Sequence, residues 1–269
     1  MKIGHFLQVT AMDIADGIYA RCRQPKPSCE KLSKSKIVAH RGAHGNGVLE
    51  NTLAAFDLAA DCGVWGLEMD LRWTADLHPV IHHDASLARI FDSDEYLNKL
   101  NLDELRARFP LIPTLAEVIA RYGGRVHLML EIKAERYPQP EKQSAILKAH
   151  LAGLRPVSDY HFLALDPALF SQAPFVAPKA LLPVAETNLS AMSRIALESG
   201  FGGVLGHYVL LDQNCLYRHK DAGQSVGTAY VRSLNCLYRE LNRGVTWIFS
   251  NHAAKLQAML DASLAALPE

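Results

Sequence analysis

Apolar and polar positions alternate most cleanly over residues 66–72. Leu67, Met69 and Leu71 fall on one face of an extended segment, and Glu68, Asp70 and Arg72 on the other. The same period recurs over 128–133, where Leu128, Leu130 and Ile132 oppose Met129, Glu131 and Lys133. Around these two segments the pattern predicts strands at 37–39, 66–71, 126–132, 161–165, 179–183, 203–206, 225–231 and 247–249, with 79–82 extending the edge of the second. Helical spacing predicts helices at 50–62, 102–108, 114–122, 141–151, 167–172, 188–198, 212–222, 234–242 and 253–265. Gly63 stops the first of these, and Thr114 with Glu117 forms a capping box. Eight strand–helix units over roughly 230 residues fit a (β/α)8 barrel, a TIM barrel, as one α/β domain. An open doubly wound sheet fits less well, because the glycines between 42 and 47 do not have the spacing of a nucleotide loop.

In that fold the strands' carboxyl ends carry the chemistry. His40 follows the first strand, Glu68 and Asp70 lie in the second, and Glu131 and Lys133 end the third. Three carboxylates facing one way call for a partner, and a hard divalent cation held by oxygen is the natural one. The competing reading of the alternation alone is a charged strand face bathed in solvent.

These residues resemble the glycerophosphodiester phosphodiesterase family. The resemblance is carried by His40-Arg41-Gly42, Glu50-Asn51-Thr52 with Ala55-Phe56, Glu68-x-Asp70, Thr74-x-Asp76-x-x-Pro79-Val80-x-x-His83-Asp84, Ile112-Pro113-Thr114-Leu115 and Glu131-Ile132-Lys133. It is specific over residues 37–133 and thins beyond them. It implies a hydrolase that cleaves a small glycerophosphodiester to glycerol 3-phosphate and an alcohol, with one divalent cation, Mg²⁺ or Ca²⁺, on Glu68, Asp70 and Glu131. It implies His40 and His83 as the acid–base pair, and a glycerol hydroxyl as nucleophile. Arg41 and Lys133 are suited to phosphate oxygen, and Glu50 to ordering His40, Arg41 or the metal from behind. His82 and His83 face opposite ways in a strand; only the resemblance selects His83. His44 and the remaining histidines read as bland residues without a required role.

Later segments depart from the family pattern. Ala229-Tyr230-Val231-Arg232 and Ser250-Asn251-His252 replace its usual residues, and 85–111 is short where the family carries an insertion over the site. Late strands shape the wall facing the leaving group, so Tyr230 and Arg232 are candidates for that wall, with a core or surface tyrosine as the plainer reading. Two alternatives follow: a lysophospholipase D-like enzyme acting on lysolipids, and a non-catalytic barrel that binds.

Composition changes the picture little. With 49% apolar and 21% charged residues among 269, the chain is ordinary globular material. Lys+Arg and Asp+Glu balance at 28 each, so no global charge points to nucleic acid. Five scattered cysteines without a CxxC argue against zinc or a disulfide framework and fit a cytoplasmic setting. No signal peptide is read at the N-terminus. Residues 1–36 are expected to form an extension to a barrel spanning 37–269: a short helix over 13–23, then a basic run over 21–36. That run reads as a solvated linker or floor segment, or as a weak contact with an acidic membrane surface.

Overall fold

A computed structural model of the protein describes residue 15 and residues 17–266. Eight parallel strands form a nearly closed barrel: β1 (Lys36–His40), β2 (Gly66–Trp73), β4 (His127–Ile132), β5 (Tyr160–Ala164), β6 (Leu181–Pro183), β7 (Gly203–His207), β8 (Ser225–Ala229) and β9 (Trp247–Ser250). A short strand, β3 (Pro79–Ile81), pairs antiparallel with β2. The strand order is β6-β5-β4-β2-β1-β9-β8-β7, and chain-terminal β9 pairs with β1 over four residues. The ring closes between β6 and β7 through a single bridge, Val184 to Leu205, where Ala185 N–H donates to Leu205 O at 2.7 Å.

The lumen holds Val38, Met129, Leu163, Leu182, Leu205, Trp247 and Phe249. A larger apolar cluster lies between the strands and the surrounding helices. Every residue of β2 and β4 is buried, as expected where helices cover a parallel sheet and side chains fill its lumen. The alternation in the sequence therefore separates lumen from helix layer. Its polar positions are not solvated.

Helices α2 (Leu53–Asp61), α4 (Leu102–Arg108) and α5 (Leu115–Tyr122) fall near the expected places. Thr114 and Glu117 form the expected capping box, and Asn101 with Glu104 forms a second one. The expected helix at 50–62 begins only at Leu53. Thr52 caps it by accepting from Ala55 N–H, and Asn51 takes a left-handed φ of 56°, which leaves Glu50 and Asn51 in the loop. Gly42, at φ 81°, lets that loop lie on α2, since a Cβ there would stand 2.7 Å from the Cβ of Ala55. The expected helix at 167–172 is instead a 3₁₀ segment, started by Pro167 and capped by the Asp166 side chain. The strand expected at 225–231 ends at Ala229 because Tyr230 turns to φ 68°.

Residues 85–111 carry α3 (Ala88–Phe91) and α4 over a small apolar cluster of their own, with Val80, Leu87, Leu97, Leu100, Leu105, Phe109 and Ile112 at its centre. The helix expected at 13–23 falls partly outside the described residues; 15 and 17–21 are helical. After it, α1 (Cys29–Ser33) buries Leu32 completely. The basic run docks on the last two helices, α9 (Leu234–Arg243) and α10 (Ala253–Ala265). Lys31 Nζ donates to Asn242 O, and Lys26 Nζ to Ala266 O. Among the described residues no helix is long and apolar enough to cross a membrane. All five cysteines are free thiols.

Candidate active site

Strand register builds the site. His40 stands beside Glu68, and Asp70 beside Glu131, on adjacent parallel strands. Glu68, Asp70 and Glu131 are 1%, 0% and 9% exposed, which rules out the solvated-face reading of the alternation. Each offers an oxygen within 4.8 Å of the others. Glu68 Oε1 is buried without a hydrogen-bond partner, an arrangement costly to leave unfilled.

The predicted cations sit among these carboxylates. Lys133 Nζ lies 2.6 Å from Glu131 Oε1 and 2.8 Å from Asp70 Oδ1. Arg41 Nε lies 3.3 Å from Asp70 Oδ2, and Arg41 N–H donates to Glu68 Oε2 at 2.9 Å. Burial, with the charges of Asp70 and Glu131, pushes the Glu68 carboxyl well above the ordinary range. Burial also raises Glu131, although Lys133 opposes it. Asp70 goes the other way: despite its burial, Lys133 and Arg41 hold its carboxyl down. One ammonium and one guanidinium thus face three acids, and the acid least served by them is Glu68.

His40 Nδ1 meets Asn251 Oδ1 at 2.6 Å, so the amide oxygen accepts and Nε2 is left facing Glu68 Oε2 at 3.8 Å. Burial, aided by the Arg41 charge, lowers the His40 pKa to about 4. His83, on the loop after β3, donates from Nδ1 to Asp84 Oδ1 at 2.7 Å. Both histidines, Arg41, Glu68, Glu131 and Lys133 line one cavity of about 650 Å³. Tyr230 and Arg232 line it too, and the Tyr230 ring stands edge-on to His40 at 5.8 Å. Asp70 lies buried behind this lining, reached through Lys133 and Arg41, and Glu50 is tied to it through Arg41.

His82 is different. It is 3% exposed and packs toward Phe91 at 5.9 Å, in the small cluster below the loop. Glu50 does not contact His40; it accepts from Arg41 Nη1 at 3.0 Å. His44 is no freely solvated loop residue: it is half-buried, with burial as the main force lowering its pKa and with Asn251 at its ring. His127, His161 and His219 are core residues, the first two hydrogen-bonded ring to ring at 2.8 Å. Asn51 and Asn251 serve the site as well. Asn51 donates to Asp70 Oδ2 at 2.7 Å, and Asn251 orients His40. Asn51 carried a signal, since it stands within the Glu50-Asn51-Thr52 motif; Asn251 lies 211 residues from its partner and carried none.

Behind His83, Arg72 Nε donates to the His83 carbonyl at 2.8 Å, and Arg72 Nη1 lies 3.4 Å from Glu135 Oε2. Burial pushes the Glu135 carboxyl up to about 7 from an ordinary 4.5, against the pull of Arg72. Between those values the folded chain binds more protons than the unfolded one. The stabilisation is therefore fully present below pH 4.5 and is lost as pH rises through 7. Glu135→Gln is expected to flatten this fall. Urea unfolding of wild type and variant at several pH values from 4 to 8 checks it, and an unchanged slope would exclude Glu135 as its source.

Fold and rim define a (β/α)8 barrel of the enzyme type, with its acids and histidines gathered at the carboxyl ends of the strands. Residues 40–254 match the model of the Glycerophosphoryl diester phosphodiesterase family, and the chain belongs to that family. It is 31% identical over 141 residues to a glycerophosphodiester phosphodiesterase of Caldanaerobacter subterraneus subsp. tengcongensis, covering 48% of this chain and 55% of that protein. It is 26% identical to a Bacillus subtilis glycerophosphodiester phosphodiesterase, covering 82% and 85%. The chain spans about half the length of several of the curated relatives it matches. Among solved structures, an Oleispira antarctica phosphodiesterase in complex with the product sn-glycerol-3-phosphate superposes with a TM-score of 0.71 at 27% identity, covering 84% of this chain and 96% of that one.

Proposed function

We propose that the protein is a divalent-metal-dependent glycerophosphodiester phosphodiesterase, releasing glycerol 3-phosphate and an alcohol from a small-molecule substrate. The observation that carries this is the cluster of Glu68, Asp70 and Glu131 sharing one cavity with His40 and His83. Family membership and the product named in the Oleispira complex support the substrate class.

The three carboxylates fit a hard cation, because their donors are all oxygen and Glu68 Oε1 lacks a partner. Mg²⁺ and Ca²⁺ both suit that set. When bound, the ion supplies Lewis-acid neutralisation of phosphoryl charge. Arg41 and Lys133 bind phosphate oxygens, drawing on the same positive charge that now serves Asp70 and Glu131. His40 and His83 move the protons: one leaves the attacking glycerol hydroxyl as one reaches the leaving alkoxide, and with the roles exchanged water then opens the cyclic phosphate to glycerol 3-phosphate. Glu50 steadies Arg41 from behind.

Residues 1–36 are read as an extension and 37–269 as the catalytic barrel. The inward contacts of Lys26 and Lys31 favour a floor segment over a membrane-binding one. Free thiols at all five cysteines support a cytoplasmic setting. The exposed Leu165 and the neighbouring Leu163, Val184 and Leu205 on the cavity wall keep a lysolipid diester as the second reading.

The test is release of glycerol 3-phosphate from a panel of glycerophosphodiesters and of the free head-group alcohol from lysolipids, whose phosphate product keeps its acyl chain. It is run after chelation and again with Mg²⁺, Ca²⁺ or Mn²⁺ restored. Metal-restored release from glycerophosphodiesters is the expected result. Release from lysolipids alone would transfer the assignment to the second reading, and no release with any metal would overturn both.

A further inference from the structure

Arg89 lies outside every motif that ties the chain to its family in the sequence. It rides on α3, in the short segment over the site. Its guanidinium reaches two carboxylates on different loops. Nε donates to Asp84 Oδ2 at 2.5 Å, while Nη1 and Nη2 donate to Glu50 Oε2 and Oε1 at 3.0 and 2.6 Å. The other oxygen of Asp84 accepts from His83 Nδ1, and Glu50 Oε1 also accepts from Arg41. An unbroken chain, His83–Asp84–Arg89–Glu50–Arg41, therefore runs from one histidine to the guanidinium beside Asp70.

We propose that Arg89 is a positioning residue for His83: it clamps Asp84 to Glu50, and so fixes the carboxylate that orients the imidazole toward the cavity. The proposal rests on the reading of His83 as a proton-transfer residue.

The physical case is one of geometry. His83 and Asp84 sit on a loop that a strand does not hold. Backbone bonds hold the residues on either side, His82 N–H to Asp70 O and Leu97 N–H to Ala85 O, and at the pair itself Arg72 grips the His83 carbonyl while Arg89 grips the Asp84 side chain. A guanidinium is a rigid planar fork that sets the orientation of both carboxylates it spans; an ammonium can bridge two carboxylates, as Lys133 does, but as a point charge on a flexible stem it orients them less. Arg89 is also 46% exposed, and ion pairs of that exposure add little to stability. The effect of losing it should therefore fall on turnover, where a displacement of about 1 Å can cost on the order of 100-fold.

The experiment compares Arg89→Met, Arg89→Lys, Asp84→Asn, the Arg89→Met/Asp84→Asn pair and His83→Ala, reading kcat, KM and urea midpoint for each. Arg89→Met should lower kcat by roughly 10- to 100-fold while KM and the midpoint stay near wild type, and Arg89→Lys should restore only part. In the Asp84→Asn background, Arg89→Met should cost less than about threefold, because residues acting through one another do not add. Full additivity, or a loss confined to KM, would overturn the clamp. If Arg89→Met fails to fold, the same cycle run with Arg89→Lys decides. A near-normal rate for His83→Ala would instead remove His83 from its role. Collapse of His83→Ala beside an unaffected Arg89→Met would remove the clamp alone.

Discussion

Asp70→Asn is expected to abolish most metal-supported turnover. Asp70 is fully buried at the centre of the site, touching Lys133, Arg41 and Asn51. The substitution keeps the shape and removes one of three negative charges, leaving Glu68 and Glu131 as the charged donors and a neutral amide oxygen in place of the third. Metal acting as a Lewis acid contributes several kcal/mol, and at 1.36 kcal/mol per decade a loss of roughly 10²–10³-fold in kcat follows. Folding should suffer less than the ~3–5 kcal/mol typical of a stripped buried pair. Lys133 keeps Glu131 at 2.6 Å and Arg41 keeps Glu50 at 3.0 Å. Calorimetric titration with Mg²⁺ and Ca²⁺, beside the release assay, separates the two effects. Unchanged ion affinity together with unchanged turnover would take Asp70 out of the metal site.

The second large effect concerns the histidines. His40→Ala and His83→Ala should each lower turnover by roughly 10²–10⁴, the usual worth of a positioned acid or base. Their side effects should differ. His83 is on a loop, and its partner Asp84 keeps Arg89 when the ring is gone, so the fold should hardly notice. His40 is deeply enclosed against Asn251 and Tyr230. Removing it leaves an amide oxygen without its donor, at a cost of about 1–3 kcal/mol. Rates at saturating metal, with urea midpoints measured on the same preparations, check both statements. A near-wild-type rate for either variant removes that residue from proton transfer.

The site's acids were legible because a strand repeats every two residues: once Leu67, Met69 and Leu71 face the helices, Glu68 and Asp70 must face the lumen. The barrel was legible for a similar reason, since each apolar run was followed by helical spacing. Local backbone choices were harder. Thr52 rather than Glu50 opens α2, because a hydroxyl that accepts from Ala55 N–H competes with continued helix. Tyr230 ends β8 by turning left-handed, which no apolar pattern announces. Hardest of all were partners brought from far along the chain. Arg89 meets Glu50 across 39 residues and Asn251 meets His40 across 211. Such pairings are properties of the closed ring and of the segment laid over it, and no local period encodes them.

The ring's one slender joint has a consequence of its own. First and last strands are laced together over four residues, whereas β6 and β7 share one bridge and a further backbone bond from Gly202 N–H to Leu181 O. Val184, Ala185 and Leu205, which form that joint, also line the cavity. A substitution that weakens this joint is felt on the cavity wall before it reaches the carboxylates on β2 and β4, which are held in register by their own ladder.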